Sequence, residues 1–196
     1  MIGAISLMRR RRDIGREQYS KHWLEVHGPL VCKMPGLKRY QQAHVVAELS
    51  APAEVMAVDG FAQLFFESVQ ARAVAYASPE LAACDVDSPL FIGAVTRAVT
   101  EITDLGSGRS EHKLMVLAPP GEPTDVADVR GLAGLVGGQW HRVTSQGAAP
   151  NSVVAEFVCP LKAIAELWFA DDAAMRAAAG VLKNCAVYEV REREFI

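Results

Sequence analysis

The sequence predicts an α+β fold made of two consecutive βαββαβ units whose antiparallel sheets pack together. Three observations carry that prediction. Extended and helical runs follow in the order strand, helix, strand, strand, helix, strand, and the order then starts again. Gln-Leu-Phe-Phe at 63–66 is answered by Glu-Leu-Trp-Phe at 166–169, each followed by an alanine-rich helical stretch. Between the two series lies Asp104-Leu105-Gly106-Ser107-Gly108-Arg109-Ser110, small, polar and linker-like. Each unit, 1–105 and 111–196, then has the split βαβ or ferredoxin-like pattern. A sheet of that kind carries helices on one face, so two copies can cover each other's bare faces within one body.

In chain order, 3–8 is a short apolar strand that ends in four arginines, 9–12. A helix follows over 16–30, where Tyr19, Trp23, Val26 and Leu30 form one apolar stripe. His27 sits about 60° from the centre of that stripe, at the edge of a buried face. Gly28-Pro29 and Met34-Pro35-Gly36 close the helix and turn the chain. The next strand, 37–46, places Tyr40, Gln42 and His44 on one face and Arg39, Gln41 and Ala43 on the other. A loop is expected at 48–59 and a strand at 61–67. Ser68 caps a helix to about 77, Ser78-Pro79 stops it, 81–83 adds a turn, 85–89 is loop and 91–102 a strand. In the second series the strand 113–117 precedes a helix over 125–135 that Gly137-Gly138 ends. Then come extended chain at 139–145, strand or loop at 151–160, a strand at 163–170, a helix from Asp171-Asp172 to Gly180 and a closing strand at 183–194.

Composition sets the class. Of the 196 residues 51% are apolar and 22% charged, as in soluble globular proteins. No apolar run approaches the roughly 20 residues that cross a bilayer, and the N-terminus runs from apolar into basic, the reverse of a secretory signal. The expected location is cytoplasmic, with Cys32, Cys84, Cys159 and Cys185 reduced and mostly buried. Residues 1–40 hold nine Lys/Arg against three Asp/Glu, a net of +6 within a chain of net −3. With no nucleic-acid motif beside it, this basic segment is either a solvated run or a rim that attracts a small anionic substrate. The expected partner is therefore a small molecule, with no nucleic acid and no membrane.

Several chemistries lack their signatures. There is no G-x-S-x-G elbow, no phosphate loop before a helix and no dinucleotide fingerprint. His22 and His27 are five residues apart, about 140° on an α-helix, so their rings diverge and no metal site is expected. What remains is His27, which can exchange a proton at neutral pH or serve as a structural histidine bonded to the following loop. Tyr40 either stabilises an oxyanion or packs on the helix. Trp23 is core or a ligand platform, and His44, beyond Gln42 on the Tyr40 face, lines a pocket or the surface. Arg39 and the 9–12 arginines either pair with an anionic group or stay solvated. Trp140 and His141 are a weaker signal for a contribution of the second half to the same cleft.

The stretch His-Trp-Leu-Glu-Val-His-Gly-Pro-Leu-Val-Cys-Lys-Met-Pro-Gly-Leu-Lys-Arg-Tyr, 22–40, with Gln-Leu-Phe-Phe-Glu-Ser downstream, resembles the EthD-like group of dimeric α+β barrel proteins. The resemblance spans about 3–103; the second half lacks the His-Gly-Pro-Leu and Pro-Gly-Leu motifs. It implies two sheets paired into a barrel, either within this duplicated chain or in a homodimer. It also implies a cofactor-free isomerase or lyase of dehydratase type, acting on a lactone, aromatic or polyketide-like carbonyl compound of a degradation pathway. His27 and Tyr40 align with the catalytic histidine and tyrosine of the methylmuconolactone isomerases in that group, and Trp23, His44, Arg39 and Gln42 are candidate substrate contacts. A non-catalytic accessory protein that binds a metabolite or haem, and a cofactor-independent monooxygenase, stay open as alternatives.

Overall fold

The computed structural model of the protein describes residues 2–52, 57–147 and 152–196. The part of the expected loop at 53–56, and position 151, lie outside the described residues. The first half consists of β1 (Ile2–Arg10), α1 (Arg16–His22), a π-helical turn (Trp23–His27), α2 (Gly28–Val31), β2 (Leu37–Ser50), β3 (Gly60–Phe66), α3 (Val69–Tyr76), α4 (Pro79–Asp87), a 3-10 turn (Ser88–Leu90) and β4 (Ile92–Ser107). The second consists of β5 (His112–Ala118), α5 (Val126–Arg130), β6 (Leu135–Gly147), β7 (Ala155–Glu156), β8 (Ala163–Phe169), α6 (Asp172–Val181) and β9 (Ala186–Glu194).

Eight strands close a mixed α+β, antiparallel barrel in the order β1-β3-β2-β9-β5-β8-β6-β4, with β4 returning to β1. The order is β4-β1-β3-β2 within the first half and β9-β5-β8-β6 within the second. Two seams join the halves, β2 with β9 (Ala43 opposite Glu192) and β4 with β6 (Thr103 opposite Trp140). The barrel is thus completed by one chain, and no strand of the ring is left as an open edge.

Three expectations about elements change. The glycine-rich linker is strand: β4 runs on to Ser107, with Gly106 and Ser107 opposite Gly138 and Gly137. These glycines allow the two backbones to approach closely, so partner hydrogen bonds outweigh the flexible composition. For the same reason Gly137-Gly138 lie within β6 rather than ending a helix, and α5 stops at Arg130. Ser78-Pro79 begins a helix as well as ending one. Ser78 Oγ accepts from the Leu81 N–H, and Pro79 stands at the first helical position, where its missing N–H costs nothing. What reads as turn and loop at 81–87 is therefore α4.

Strand alternation sorts side chains to two sides. Ile5, Leu7, Ala43, Val45, Phe61, Ala98, Met115, Ile164 and Tyr188 fill the barrel interior. Ala4, Met8, Tyr40, Leu64 and Val95 face outward beneath Tyr19, Trp23 and Ala75 of the first-half helices. In the second half Leu114, Ala165 and Val187 pack beneath Met175 and Ala178. Among the described residues no disulfide is formed; Cys84, Cys159 and Cys185 are buried and Cys32 is half-buried. Among the described residues no helix is long and apolar enough to cross a membrane.

The interior also holds charge. Buried Lys113 pairs with Glu166 Oε2 at 2.7 Å and with Glu192, and His141 Nε2 lies 3.5 Å from Glu166 Oε1. Burial alone would raise the Glu166 carboxyl; Lys113 and then His141 instead hold it well below the usual range. Replacing Lys113 by Met would leave two carboxylates facing each other in low dielectric. We expect Lys113→Met to lose about 3–5 kcal/mol in urea unfolding, and Lys113→Met/Glu166→Gln to recover part of that loss.

Candidate active site

The helix-facing side of the first-half sheet and the helices above it enclose a cavity of about 60 Å³. His27 and Tyr40 both line it, with Ser6, Met34, Asp85 and Arg97 among the other wall residues. His27 arrives there through the π-helical turn. In a regular α-helix the Pro29 ring would press on the Glu25 carbonyl, and it has no N–H to offer that carbonyl. The turn before it is widened, and the Gly28 N–H bonds Trp23 O, five residues back.

This widening corrects the expected divergence of His22 and His27. Residues five apart stand nearly above one another in a π-turn, and both rings converge on Asp87 at the end of α4. His27 Nδ1 lies 2.9 Å from Asp87 Oδ2, and His22 Nε2 2.9 Å from Asp87 Oδ1. The Phe91 ring packs against both imidazoles, at centroid distances of 5.0 and 4.9 Å. Burial lowers the His27 pKa from its ordinary value, against the opposing pull of Asp87. The ring is thus neutral at pH 7 with its proton on Nδ1, and Nε2 has no hydrogen-bond partner among the described residues.

Tyr40 is fully buried, and its hydroxyl accepts from Trp23 Nε1 at 3.2 Å and Gln42 Nε2 at 2.8 Å. Burial raises its pKa, so it remains a phenol. Gln42 Nε2 also reaches Trp23 O, its Oε1 faces His44 Nε2 at 2.9 Å, and His44 Nδ1 faces Ser20 Oγ at 3.1 Å. Trp23, Tyr40, Gln42, His44 and Ser20 therefore form one hydrogen-bonded chain over β2. Gly60 lies directly beneath Trp23; a Cβ there would collide with the indole and with the Tyr19 hydroxyl.

Of the residues singled out from the sequence, His27 and Tyr40 share the cavity. Trp23 and Gln42 support Tyr40 from behind without lining it. His44 lines a separate groove of about 350 Å³ with Arg16, Lys21, Arg191 and Arg193. Arg39 does not reach the cavity. It lies on the opposite face of β2, stacked 3.7 Å over Phe65 and bonded to Gln139 Oε1. His141 is inside the barrel and Trp140 under the second-half helices, so neither joins the cleft. Asp87, His22, Asp85 and Arg97 were not apparent, because their relevance depends on α4 and on cross-strand placement. Among the described residues no group of three or more His, Cys, Asp or Glu is arranged to hold a metal ion.

The geometry is thus an antiparallel α+β barrel with His27 and Tyr40 lining one cavity between sheet and outer helices, and it can be set beside known proteins. The EthD domain family model matches residues 11–94. The whole chain shares the fold of an anthrone oxidase-like protein, with a TM-score of 0.60 at 10% identity, covering 98% of this chain and 92% of that one. Two proteins each called a "putative monooxygenase" also share it. The one from Fusobacterium nucleatum subsp. nucleatum ATCC 25586 has a TM-score of 0.55 at 8% identity, covering 98% of this chain and 93% of that one. The one from Lactobacillus acidophilus NCFM has 0.52 at 10%, covering 97% and 93%. Identities this low speak to fold alone. No curated protein sequence matches the chain.

The His44 network has a consequence for acid stability. Burial, and then Arg193, lower the His44 pKa from 6.5 to about 4. The unfolded chain therefore binds a proton between those values that the folded chain refuses, so stability is full above 6.5 and falls as pH drops toward 4. Urea unfolding should show a loss of order 2–3 kcal/mol across this window, with a flatter profile in His44→Gln.

Proposed function

We propose that the first half is a cofactor-free proton-transfer catalyst, an isomerase or lyase acting on a small lactone, aromatic or polyketide-like carbonyl compound. The observation that carries this reading is His27 on the wall of a largely apolar cavity, its Nδ1 held by Asp87, with the Tyr40 phenol on the same wall. His27 Nε2 takes a proton from the carbon next to the substrate carbonyl. The C–H electron pair moves into the carbonyl, and the Tyr40 O–H donates to the oxygen that becomes negative. Asp87 balances the imidazolium, as the carboxylate does in a catalytic triad. The same nitrogen returns the proton to another carbon, giving isomerisation, or to a departing hydroxyl, giving elimination. The two donors already on the Tyr40 oxygen leave its own proton for the substrate.

A second reading starts from the same deprotonation. The names of the anthrone oxidase-like and monooxygenase-like fold neighbours favour a carbanion captured by dioxygen, which oxygen uptake with a phenolic ketone would reveal. A haem carrier has less support. The cavity is far smaller than a macrocycle, and both His44 nitrogens are already engaged. We further read the equivalent strand orders of the two halves as two ferredoxin-like units, 1–105 carrying the site and 111–196 a degenerate copy. On this view the partner is a small molecule rather than nucleic acid or membrane, the protein works in the cytoplasm, and no homodimer is required to close the barrel.

Deuterium exchange into lactones and phenolic ketones tests the chemistry. His27→Ala should slow exchange by about 10²–10⁴ and Tyr40→Phe by about tenfold or more. Asp87→Asn, which releases the Nδ1–H tautomer, should fall between them while keeping the fold. Folded His27→Ala and Tyr40→Phe variants with wild-type turnover would refute the assignment.

A further inference from the structure

The cavity holds a cation that the proton-transfer chemistry does not use. Arg97, on the helix-facing side of β4, lines it together with Ser6 of the neighbouring strand. Its polar contact is Ser152 Oγ at 3.4 Å, and among the described residues no carboxylate lies within 4 Å of its guanidinium. Asp85, the one carboxylate among the lining residues, is pushed toward its neutral form by burial, which outweighs the opposing pull of Arg97. A guanidinium on the cavity wall, held by one long bond to a hydroxyl and with no carboxylate against it among the described residues, is matched to a ligand carboxylate, which can take two of its N–H groups at once.

Geometry sets the size of that ligand. Arg97 faces Ser6, Ser6 faces Ala62, and Ala62 faces Gln42, two residues along β2 from Tyr40. Three inter-strand steps put the β4 and β2 backbones about 14 Å apart. Between them the cavity floor is formed by the small Ser6 and Ala62, so the span from Arg97 to Tyr40 suits a ligand of one ring rather than several. The second half covers the Arg97 end. β7 pairs in parallel with β4, Ala155 opposite Ala94, and the Phe157 N–H bonds Val95 O. Val154 packs into the first-half core, and Ser152 Oγ accepts from the Arg97 guanidinium and donates to Val154 O. At about 60 Å³ the space is well short of the ~300 Å³ and more of ordinary ligand pockets, so a ring enters only as the cavity widens.

We propose that Arg97 is the anion anchor of this cavity. The ligand is a single-ring aromatic or lactone acid whose carboxylate replaces Ser152 on the guanidinium, under a cap lent by residues 152–157 of the second half. The proposal deepens the proton-transfer reading by naming its substrate class, but the anchor is tested by binding alone. Calorimetry with benzoate and with benzamide, equal in shape and different in charge, should show benzoate binding at least tenfold tighter to the wild-type protein. Arg97→Met should weaken benzoate at least tenfold and leave benzamide unchanged, with Arg97→Lys in between; His27→Asn should keep benzoate binding. Equal affinity for the two probes, no benzoate binding at millimolar concentration, or benzoate binding indifferent to Arg97→Met would each overturn it. If Arg97→Met does not fold, Arg97→Lys and the wild-type comparison of probes decide. Charge-selective binding with exchange that ignores His27→Ala would keep the anchor and reject the proton transfer; the reverse pattern would do the opposite.

Discussion

The closure of the eight-stranded ring is the constraint from which the rest follows. Each half brings a sheet with two outer strands, and the β2–β9 and β4–β6 seams pair those strands with each other. Closure assigns every strand residue to the inside or to the helix side, because side chains alternate and register leaves no choice. An eight-stranded barrel is narrow enough for its own side chains to fill. The cavity that His27 and Tyr40 line is therefore outside the ring, between sheet and helices. The same closure sets β4 beside β6, and β7 and Ser152 of the second half lie at the Arg97 end of the cavity.

Within that frame the histidines depend on a local departure from α-helix. Pro29 cannot extend a regular helix through Glu25, and the π-turn before it moves His27 by enough to bring it into line with His22. Both then share Asp87, whose own position requires α4 to continue past Pro79. A buried imidazole with one nitrogen fixed by a carboxylate is a neutral base of defined orientation. The Tyr40 side is held just as firmly: Trp23 and Gln42 leave its oxygen one role, that of donor to something in the cavity.

The two halves differ in what they do for the barrel. Between its first two strands the first half has α1, the π-turn and α2; the second has only the five-residue α5 there. The second half instead supplies the interior ion cluster of Lys113, Glu166, Glu192 and His141. Threads from the first half tie into it, Thr100 to His141 and Gln41 to Glu192. A buried network of this kind is weak evidence of added stability, since desolvation offsets its Coulomb energy, but breaking one member is costly.

The chain's own pattern determined a good deal. Strand and helix order and the face shared by Tyr40, Gln42 and His44 follow from local periodicity, which adjacent residues encode; the expected helical stripe does not hold through the π-turn, which exposes Val26 and buries His27. Arg39 on the opposite face of β2 was legible for the same reason, since a strand separates neighbours by simple alternation. Tertiary structure decided what depends on distant partners. The run at 104–110 is a flexible segment by composition, yet 104–107 is strand by pairing, because β6 offers its backbone a ladder. Asp87 and Arg97 meet His27 only once α4 packs on α2 and β4 pairs with β1, and 60 to 70 residues of intervening sequence carry no mark of it. Local propensity writes the elements; which side chains share a cavity is set by strand pairing and helix packing, and those are properties of the closed barrel.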